Sequence, residues 1–159
     1  MDIRSATSED VSLIFSFIQK KATFDRNLGA FSGELKASEA KIRQTMFGTT
    51  PFAHVIFAEL DNQAIGFALY QFHYSSFAGQ PSIWIDDLYV DDNQRSQGAG
   101  TLLMNALVQI AKEHDCTHLS WNADARNTRG LQFYDRIGAT ITEQTGTRCL
   151  LTWIPFQLR

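Results

Sequence analysis

The chain has 159 residues, a formal net charge of −3 and 44% apolar residues, the size and composition of one globular domain. Its 14 basic residues are outnumbered by 17 acidic ones and include one adjacent pair, Lys20-Lys21, so no cationic surface for nucleic acid or an anionic membrane is expected. With 12 Phe, 4 Tyr and 3 Trp, the composition also excludes a disordered protein. We predict a single domain over residues 1–159 whose partner is a small molecule.

The start of the chain lacks the features of a targeting segment. Met1 to Arg4 do not form a basic segment followed by an apolar one, and the longest apolar-rich run, 53–60, is too short to span a bilayer. Two cysteines, Cys116 and Cys149, are too few for a disulfide framework in a chain of this length. We expect a cytoplasmic protein with two buried free thiols.

The first half of the chain predicts strands with short connections. In chain order, the predicted elements are a strand over 3–6, a helix from 11, a weaker helix over 38–47 and strands over 55–60, 64–72 and 83–90. The first helix follows the capping-box-like sequence Thr7-x-x-Asp10, and residues 61–63 are typical of a hairpin turn. Antiparallel pairing is therefore expected for these strands.

The second half alternates helices and strands. The predicted elements are a helix over 100–113, a strand over 117–122, a helix over 127–137 and strands over 139–142 and 148–154. Two βα units in this order add parallel pairing to the antiparallel sheet. The fold class is mixed α/β, with sheet and helices in one layered domain.

The junction between the predicted fourth strand and third helix has the chemistry of an anion-binding loop. Gly98 and Gly100 let a ligand approach the backbone closely, and the first turn of a helix offers unpaired N–H groups at the positive end of its dipole. Two linked phosphates would fit there. The alternative is that the glycines only shape the turn, and Asp91 and Asp92 would repel an anion unless they point away.

Other ligand-binding and catalytic motifs do not fit this sequence. It lacks the third glycine of a dinucleotide fingerprint, the Gly-Lys pair of a Walker loop and the Gly-x-Ser-x-Gly elbow of serine hydrolases. His114 and His118 flank Cys116 without a further ligand pair, so no metal site is expected. Neither cysteine lies at a strand-to-helix elbow, which disfavours a cysteine nucleophile.

Several motifs resemble, in the same order, those of the GNAT family of acetyltransferases. Arg95-x-x-Gly98-x-Gly100 after a strand ending in 88–90 resembles the family's acetyl-coenzyme A signature. Asn127 followed by Phe133-Tyr134 and Gly138-Ala139 resembles its coenzyme-binding asparagine and last helix. Within the family, segments 51–54 and 83–90 are most similar to the diamine (spermidine/spermine) acetyltransferase branch. Ser96 departs from the family's motif, because a glycine is frequent at its position.

The resemblance implies a GNAT fold, which has a mostly antiparallel sheet of six or seven strands, splayed between strands 4 and 5 and flanked by about four helices. A β-bulge within 86–88 is one physical route to that splay. The fourth strand would then pair with the pantetheine arm of acetyl-CoA as with another strand. The residues implied to bind acetyl-CoA are Leu88, Tyr89, Val90, Arg95, Ser96, Gln97, Gly98, Ala99, Gly100, Thr101, Asn127 and Gly130.

The reaction implied by the family is direct transfer of an acetyl group from a thioester to an amine. An amine with a pKa of about 10.4 is uncharged in only about one molecule in 2,500 at pH 7, a cost of about 4 to 5 kcal/mol, so a base assists. Asp86 stands where the diamine branch has a glutamate thought to take this proton through water, and Tyr134 matches the tyrosine that protonates the departing thiolate. The alternatives are a carboxylate that only attracts cations or bonds to backbone, and a core tyrosine with a satisfied hydroxyl.

The implied acceptor site is partly acidic. Asp25 matches a carboxylate that contacts the polyamine in the diamine branch, and we place it in the loop after the first helix, where the alternative is a solvated carboxylate. Other acidic positions of polyamine enzymes are replaced, for instance by Ser75-Ser76-Phe77, which favours a short diamine, a lysine-like amino acid or another primary amine. The residues predicted to bind this substrate are Phe24, Asp25, Trp84, Asp87 and Asn122.

We therefore expect an acetyl-CoA-dependent N-acetyltransferase that acts on a small primary amine without a metal. A protein lysine or N-terminal acetyltransferase and a non-catalytic acyl-CoA sensor are the alternatives, and a sensor has no use for a proton donor and acceptor beside the thioester. A homodimer is expected from the resemblance and from an apolar last strand that would pack across a two-fold axis. The apolar residues of that strand are Leu150, Leu151, Trp153 and Ile154.

Overall fold

A computed structural model describes residues 1–156 of the chain. Its centre is a seven-stranded sheet with the spatial order β1-β2-β3-β4-β5-β7-β6. The strands are β1 (Asp2–Ser5), β2 (His54–Leu60), β3 (Gln63–Ser75), β4 (Gln80–Val90), β5 (Leu119–Asp124), β6 (Thr140–Thr145) and β7 (Arg148–Trp153). The α-helices within the described residues are α1 (Val11–Leu28), α2 (Glu39–Met46), α3 (Ala99–Glu113) and α4 (Thr128–Ile137). The predicted mixed α/β fold class is confirmed.

Both faces of the sheet are covered by helices. Along β2, Val55 and Phe57 pack in the cluster of α1 and α2, whereas Ile56 and Ala58 pack in the cluster of α3. Successive side chains of a strand point to opposite faces, so a strand covered on both sides is apolar at nearly every position. A polar site therefore needs a place where the sheet is interrupted.

Helix α1 is longer than the sequence pattern indicated. The predicted capping box at Thr7 and Asp10 is present in a single 3-10 turn, and α1 then continues to Leu28 and ends at Gly29, which has a left-handed backbone (φ 84°). Gly29 is the first glycine after the start of α1, and glycine favours the left-handed conformation that ends a helix. Asp25, predicted in the following loop, therefore lies in the last turn of α1 instead.

The second half of the sheet differs from the predicted pairing. One βα unit pairs β4 and β5 in parallel, as expected, but β7 pairs antiparallel with both β5 and β6 and separates them. The two residues between β6 and β7 allow only a hairpin, and a hairpin requires antiparallel neighbours. The prediction that both βα units add parallel pairing is therefore wrong for the second unit.

The position of β7 also removes one reason for expecting a homodimer. Leu151 and Trp153 are buried in this chain's own core, at 2% and 9% exposure, so they do not form a face for a second copy. At this end of the sheet the edge strand is β6, whose six residues are all exposed.

The sheet opens between β4 and β5. These strands pair only at Ile83 with Leu119 and Trp84 with Ser120. On the other side of β4, Asp87 pairs with Leu69 and Ile85 with Tyr70, which leaves Asp86 as the extra residue of a β-bulge. A bulge bends and twists its strand. The predicted splay between strands 4 and 5 is confirmed, and the bulge lies in the predicted segment.

Candidate active site

A cleft of about 870 Å³ lies where β4 and β5 separate, between the end of α1 and the beginnings of α3 and α4. Its volume is within the range of about 300–1,000 Å³ that is usual for small-molecule sites. The cleft brings together most of the predicted site residues, which come from distant parts of the sequence. Those that line it are Phe24, Asp25, Asp86, Asp87, Leu88, Tyr89, Val90, Arg95, Ser96, Gly98, Ala99, Gly100, Thr101, Asn122, Asn127, Gly130 and Tyr134.

Two predicted site residues, Gln97 and Trp84, do not line the cleft. Gln97 is exposed, and its side-chain Nε2 donates to the Asn93 carbonyl at 3.5 Å. Trp84 lies on the part of β4 that is still paired with β5, and its ring stacks on His73 with 5.3 Å between centroids. Trp84 therefore does not line the cleft, because it precedes the point at which the strands separate.

The glycine loop places an uncapped helix N-terminus at the cleft. Gly98 is the N-cap residue of α3, has a left-handed backbone (φ 93°) and provides no side-chain cap. The backbone N–H of Leu102 is bonded to the Gly98 carbonyl at 2.9 Å, whereas residues 99–101 precede that bond and line the cleft. A Cβ at Gly98 would meet no atom within 4 Å. The donors, the open space and the helix dipole suit a phosphate group.

The acidic residues beside this loop do not face the cleft. Asp91 pairs with Lys20 (2.8 Å) and Asp92 with Arg95 (2.6 Å), and neither aspartate lines the cleft. Arg95 also donates from Nε to the Val90 carbonyl at 2.9 Å. The sequence left open whether Asp91 and Asp92 would repel an anion in the cleft, and their positions avoid that repulsion. Arg95 fastens the loop to the end of β4.

Ser96 has a left-handed backbone conformation, which glycine adopts more readily than serine. Its φ of 63° lies in the left-handed region, which costs a non-glycine residue about 1 kcal/mol. Its Oγ accepts a hydrogen bond from Arg129 Nη2 at 2.8 Å and so connects the loop to α4. The serine therefore preserves the loop shape at a small conformational cost.

Asn127 is the N-cap residue of α4. Its side-chain oxygen accepts a hydrogen bond from the Gly130 N–H at 3.0 Å. A Cβ at position 130 would lie 2.4 Å from Asn127 Nδ2, so the cap requires glycine there. The cap accounts for both residues structurally, and their contact with the coenzyme stays a prediction.

Helix α4 presents Tyr134 to the cleft. The side chain is 8% exposed and packs against Trp121 with 5.0 Å between ring centroids. Burial, with the nearby carboxylate of Asp25, raises the pKa of Tyr134 to about 12. The raised pKa keeps the proton on this hydroxyl at neutral pH, and the hydroxyl, which has no hydrogen-bond partner within residues 1–156, can donate it to a ligand. This disfavours the alternative of a core tyrosine with a satisfied hydroxyl.

The β4 bulge carries two carboxylates in different environments. Asp86 is exposed, whereas Asp87 is half-buried. Burial raises the pKa of Asp87 to about 6; Asp86 and Asp25 act in the same direction and Lys21 opposes them. A carboxylate with a pKa near neutrality is suited to general acid–base chemistry. Sequence reasoning assigned Asp87 only to substrate binding, although its place in an apolar strand already indicated burial.

Among the cleft residues that sequence reasoning did not assign to the site, Lys21 and Trp121 bear on its chemistry. Lys21 lies one turn before Asp25 on α1, and its Nζ is 2.6 Å from Asp25 Oδ2. The i,i+4 spacing of opposite charges was the available signal for this pair. Trp121 lines the cleft with a buried Nε1–H that has no hydrogen-bond partner among the described residues, and no sequence signal distinguished it from a core tryptophan.

Groups outside the cleft contribute little chemistry. Cys116 and Cys149 are buried free thiols, as predicted. Across residues 1–156, no three His, Cys, Asp or Glu side chains come together in a way that would hold a metal ion. None of the helices in the same range combines the length and apolar character needed to cross a bilayer.

A sheet opened by a bulge in its fourth strand, with a glycine loop and a helix N-terminus at the opening, defines the class of GNAT-type acyltransferases. Comparison with known families agrees, since the model described as "Acetyltransferase (GNAT) family" matches residues 21–139. This chain belongs to the GNAT acetyltransferase family. The resemblance seen in the sequence is thereby confirmed.

The chain is similar to curated acetyltransferases over most of its length. It is 30% identical to thialysine N-epsilon-acetyltransferase of Bos taurus, over 92% of this chain and 89% of that protein. It is 22% identical to an L-ornithine N5-acetyltransferase of Arabidopsis thaliana over 89% and 80% of the two chains. A human spermidine/spermine N(1)-acetyltransferase-like protein is 26% identical, over 86% of this chain and 20% of that longer protein. The relatives support the diamine branch.

Among solved structures, the chain resembles a PaiA N-acetyltransferase of Thermoplasma acidophilum crystallised with coenzyme A. The TM-score is 0.75, with 96% of this chain and 98% of that chain covered. The sequence identity is 16%, so this similarity concerns the fold alone.

Proposed function

We propose that this protein transfers an acetyl group from acetyl-CoA to a primary amine of a small molecule. The main support is the lining of one cleft, where the uncapped N-terminus of α3 lies together with Tyr134 and the carboxylates Asp25, Asp86 and Asp87. The relatives named for acetylation of thialysine, L-ornithine or spermidine and spermine support an amine acceptor.

The donor site fits coenzyme A. The backbone N–H groups of Gly98 to Thr101 would hold the pyrophosphate, for which the open space beside Gly98 is available. Beyond Trp84, β4 has no strand partner toward β5 within residues 1–156, so its backbone groups can pair with the amides of the pantetheine arm. When bound, acetyl-CoA supplies an activated thioester.

The acid–base groups flank the place where transfer would occur. Asp86 accepts a proton from the substrate ammonium through a water molecule, and the free amine then forms the new bond to the acetyl carbon. Tyr134 donates its hydroxyl proton to the sulfur as the carbon–sulfur bond breaks, which matches its protonated state, and the second proton lost by the acylated nitrogen restores the hydroxyl. Asp87 is a second candidate for the base because its raised pKa is closer to the working pH.

The shape of the cleft favours a small acceptor over a protein. Arg126 Nη2 donates to the Gly29 carbonyl at 3.1 Å and thereby joins the end of α1 to the loop between β5 and α4. The same guanidinium is held by Asp124 at 2.8 Å. This bridge passes from one side of the cleft to the other and restricts access for a folded chain.

The proposed homodimer and cytoplasmic location are independent of the shape of the cleft. A monomer in sedimentation at micromolar concentration would contradict the homodimer.

An assay of thiol release tests the proposal. The purified protein is supplied with acetyl-CoA and with diamines, polyamines, basic amino acids, aminoglycosides or lysine-containing peptides, and we expect turnover with small primary amines. Turnover with peptides alone would support a protein acetyltransferase. Calorimetric binding of acetyl-CoA without turnover would support a sensor, and the absence of any binding of coenzyme A would exclude all of these functions.

A further inference from the structure

Lys21, Asp25, Asp86 and Asp87 line the part of the cleft that we call the acceptor end. It contains a preformed ion pair. Lys21 Nζ lies 2.6 Å from Asp25 Oδ2, and the two side chains are 21% and 27% exposed. Both line the cleft, and Asp25 is close enough to Tyr134 to act on the pKa of its hydroxyl. A cation and an anion therefore stand side by side, near the proposed point of acetyl transfer.

Two further carboxylates, Asp86 and Asp87, lie in the cleft with this pair, and the cleft is also lined by Arg95, Arg126, Arg129, Arg136 and Arg148. Asp87 is influenced electrostatically by Lys21, Asp86 and Asp25, which places the four groups in one neighbourhood. Nearby Arg95 is held elsewhere, by the Val90 carbonyl and by Asp92. With Lys21 bonded to Asp25, the carboxylates of the bulge are left to attract the ammonium group that will be acetylated.

We propose that Lys21 and Asp25 together bind the α-carboxylate and α-ammonium groups of a basic amino acid, so that its side-chain amine is the group acetylated. This inference rests on the proposed function and specifies its substrate class. Lys21 would bind the α-carboxylate and Asp25 the α-ammonium group. One internal ion pair is exchanged for two ion pairs with the ligand, so neither Lys21 nor Asp25 is left unpaired.

The same pair disfavours diamines and polyamines. Such a substrate has no anionic group for Lys21, and its second ammonium group can reach Asp25 only by displacing Lys21. The displaced lysine would then stand unpaired beside another cation, which is a repulsive contribution to specificity. Lys21 is thus a specificity-determining residue, and the bulge carboxylates serve the reacting amine of either substrate class.

Pairs of substrates that differ only in the α-carboxylate separate the recognition of that group from catalysis. L-lysine and 1,5-diaminopentane differ only in the α-carboxylate, as do L-ornithine and 1,4-diaminobutane. For the wild-type protein we expect kcat/KM to be about tenfold or more higher for each amino acid than for its diamine. Lys21→Met, which keeps the unbranched apolar stem, should lower kcat/KM for the amino acids by about tenfold and leave the diamines unchanged or improved. Lys21→Arg should restore part of the preference.

The adjacent lysine provides the control. Lys20 pairs with Asp91 at 2.8 Å, and neither residue lines the cleft, so Lys20→Met should leave the ratio of lysine to diaminopentane unchanged. Equal rates for both members of a pair with the wild type, or an equal loss for both with Lys21→Met, would overturn the inference.

A binding measurement tests the proposed amino-acid site even if the protein shows no turnover. Titration of L-lysine and 1,5-diaminopentane into the protein saturated with coenzyme A should show tighter binding of lysine, and Lys21→Met should abolish the difference. If no amine is acetylated but this difference is found, the proposed function fails and the ion-pair site stands. If amines are acetylated without the difference, the ion-pair site fails and the proposed function stands.

Discussion

The two ends of the cleft are constructed differently. The donor end, Leu88 to Val90 and Gly98 to Thr101, presents mainly backbone groups from one continuous stretch of sequence. The acceptor end, Lys21, Asp25, Asp86 and Asp87, presents side chains from α1 and β4. A backbone site depends on local conformation, whereas a side-chain site depends on how distant elements pack. Donor binding should therefore be sensitive to glycine substitution, and acceptor choice to single charges.

The largest effect is expected where the two ends meet. Tyr134→Phe removes the proposed proton donor, so kcat should fall by tenfold or more while the affinity for coenzyme A changes little. Steady-state kinetics and calorimetry measure the two quantities separately. Tyr70→Phe is the control, since Tyr70 is similarly buried at 7% exposure but lies outside the cleft. An unchanged kcat for Tyr134→Phe would remove this tyrosine from the mechanism.

A smaller effect is expected at the donor end. Gly98→Ala adds a methyl group to the open space beside the helix N-terminus and strains a backbone with φ of 93°, so coenzyme A should bind about tenfold more weakly. Gly33→Ala is a matched control, because Gly33 has φ of 97°, no atom within 4 Å of an added Cβ and no part in the cleft. Similar losses of stability in both variants, with weaker binding only in the first, would separate strain from coenzyme contact. Equal affinities would argue against the anion site.

The pH dependence of kcat/KM should distinguish the roles of the two bulge carboxylates, Asp86 and Asp87. Only an ionised carboxylate accepts a proton, and the pKa of Asp87 is raised to about 6, so kcat/KM limited by Asp87 should rise with pH through that value. At pH about 5.5 the wild type would retain about a quarter of its plateau value. Asp87→Asn should abolish this limb, whereas Asp86→Asn should lower the rate and keep the limb, displaced to lower pH because the Asp86 charge helps to raise the pKa of Asp87. A limb that survives in Asp87→Asn and disappears in Asp86→Asn would assign it to Asp86.

The smallest effect is expected at Ser96. Ser96→Gly relieves a left-handed backbone but loses the hydrogen bond from Arg129, so the free energy of unfolding should rise by no more than about 1 kcal/mol. Asn62→Gly, in the exposed turn between β2 and β3, has the same φ of 63° and serves as the control in thermal unfolding. Binding of coenzyme A should change in neither variant by more than about twofold. A marked gain in affinity with Ser96→Gly would show that the serine limits the approach of the phosphates.

Features of the fold that depend on neighbouring residues were predictable. The cap at Thr7, the turn at Asp61 and Asn62 and the loop at Gly98 each depend on backbone preferences within a few residues. The pairing of β7 was not predictable in this way. It depends on competition between distant strands for one edge of β5, for which a local pattern contains no information.

By itself, the sequence determined the element types, the family and the glycine loop of the proposed donor end, because glycines, caps and alternating apolar residues act over short distances. Only the tertiary structure decided the acceptor end. It left Trp84 outside the cleft, placed Lys21 beside Asp25 at the cleft and gave Asp87 its raised pKa. The physical reason is that burial and electrostatic interaction depend on which elements enclose a side chain, and these elements meet only in the folded chain.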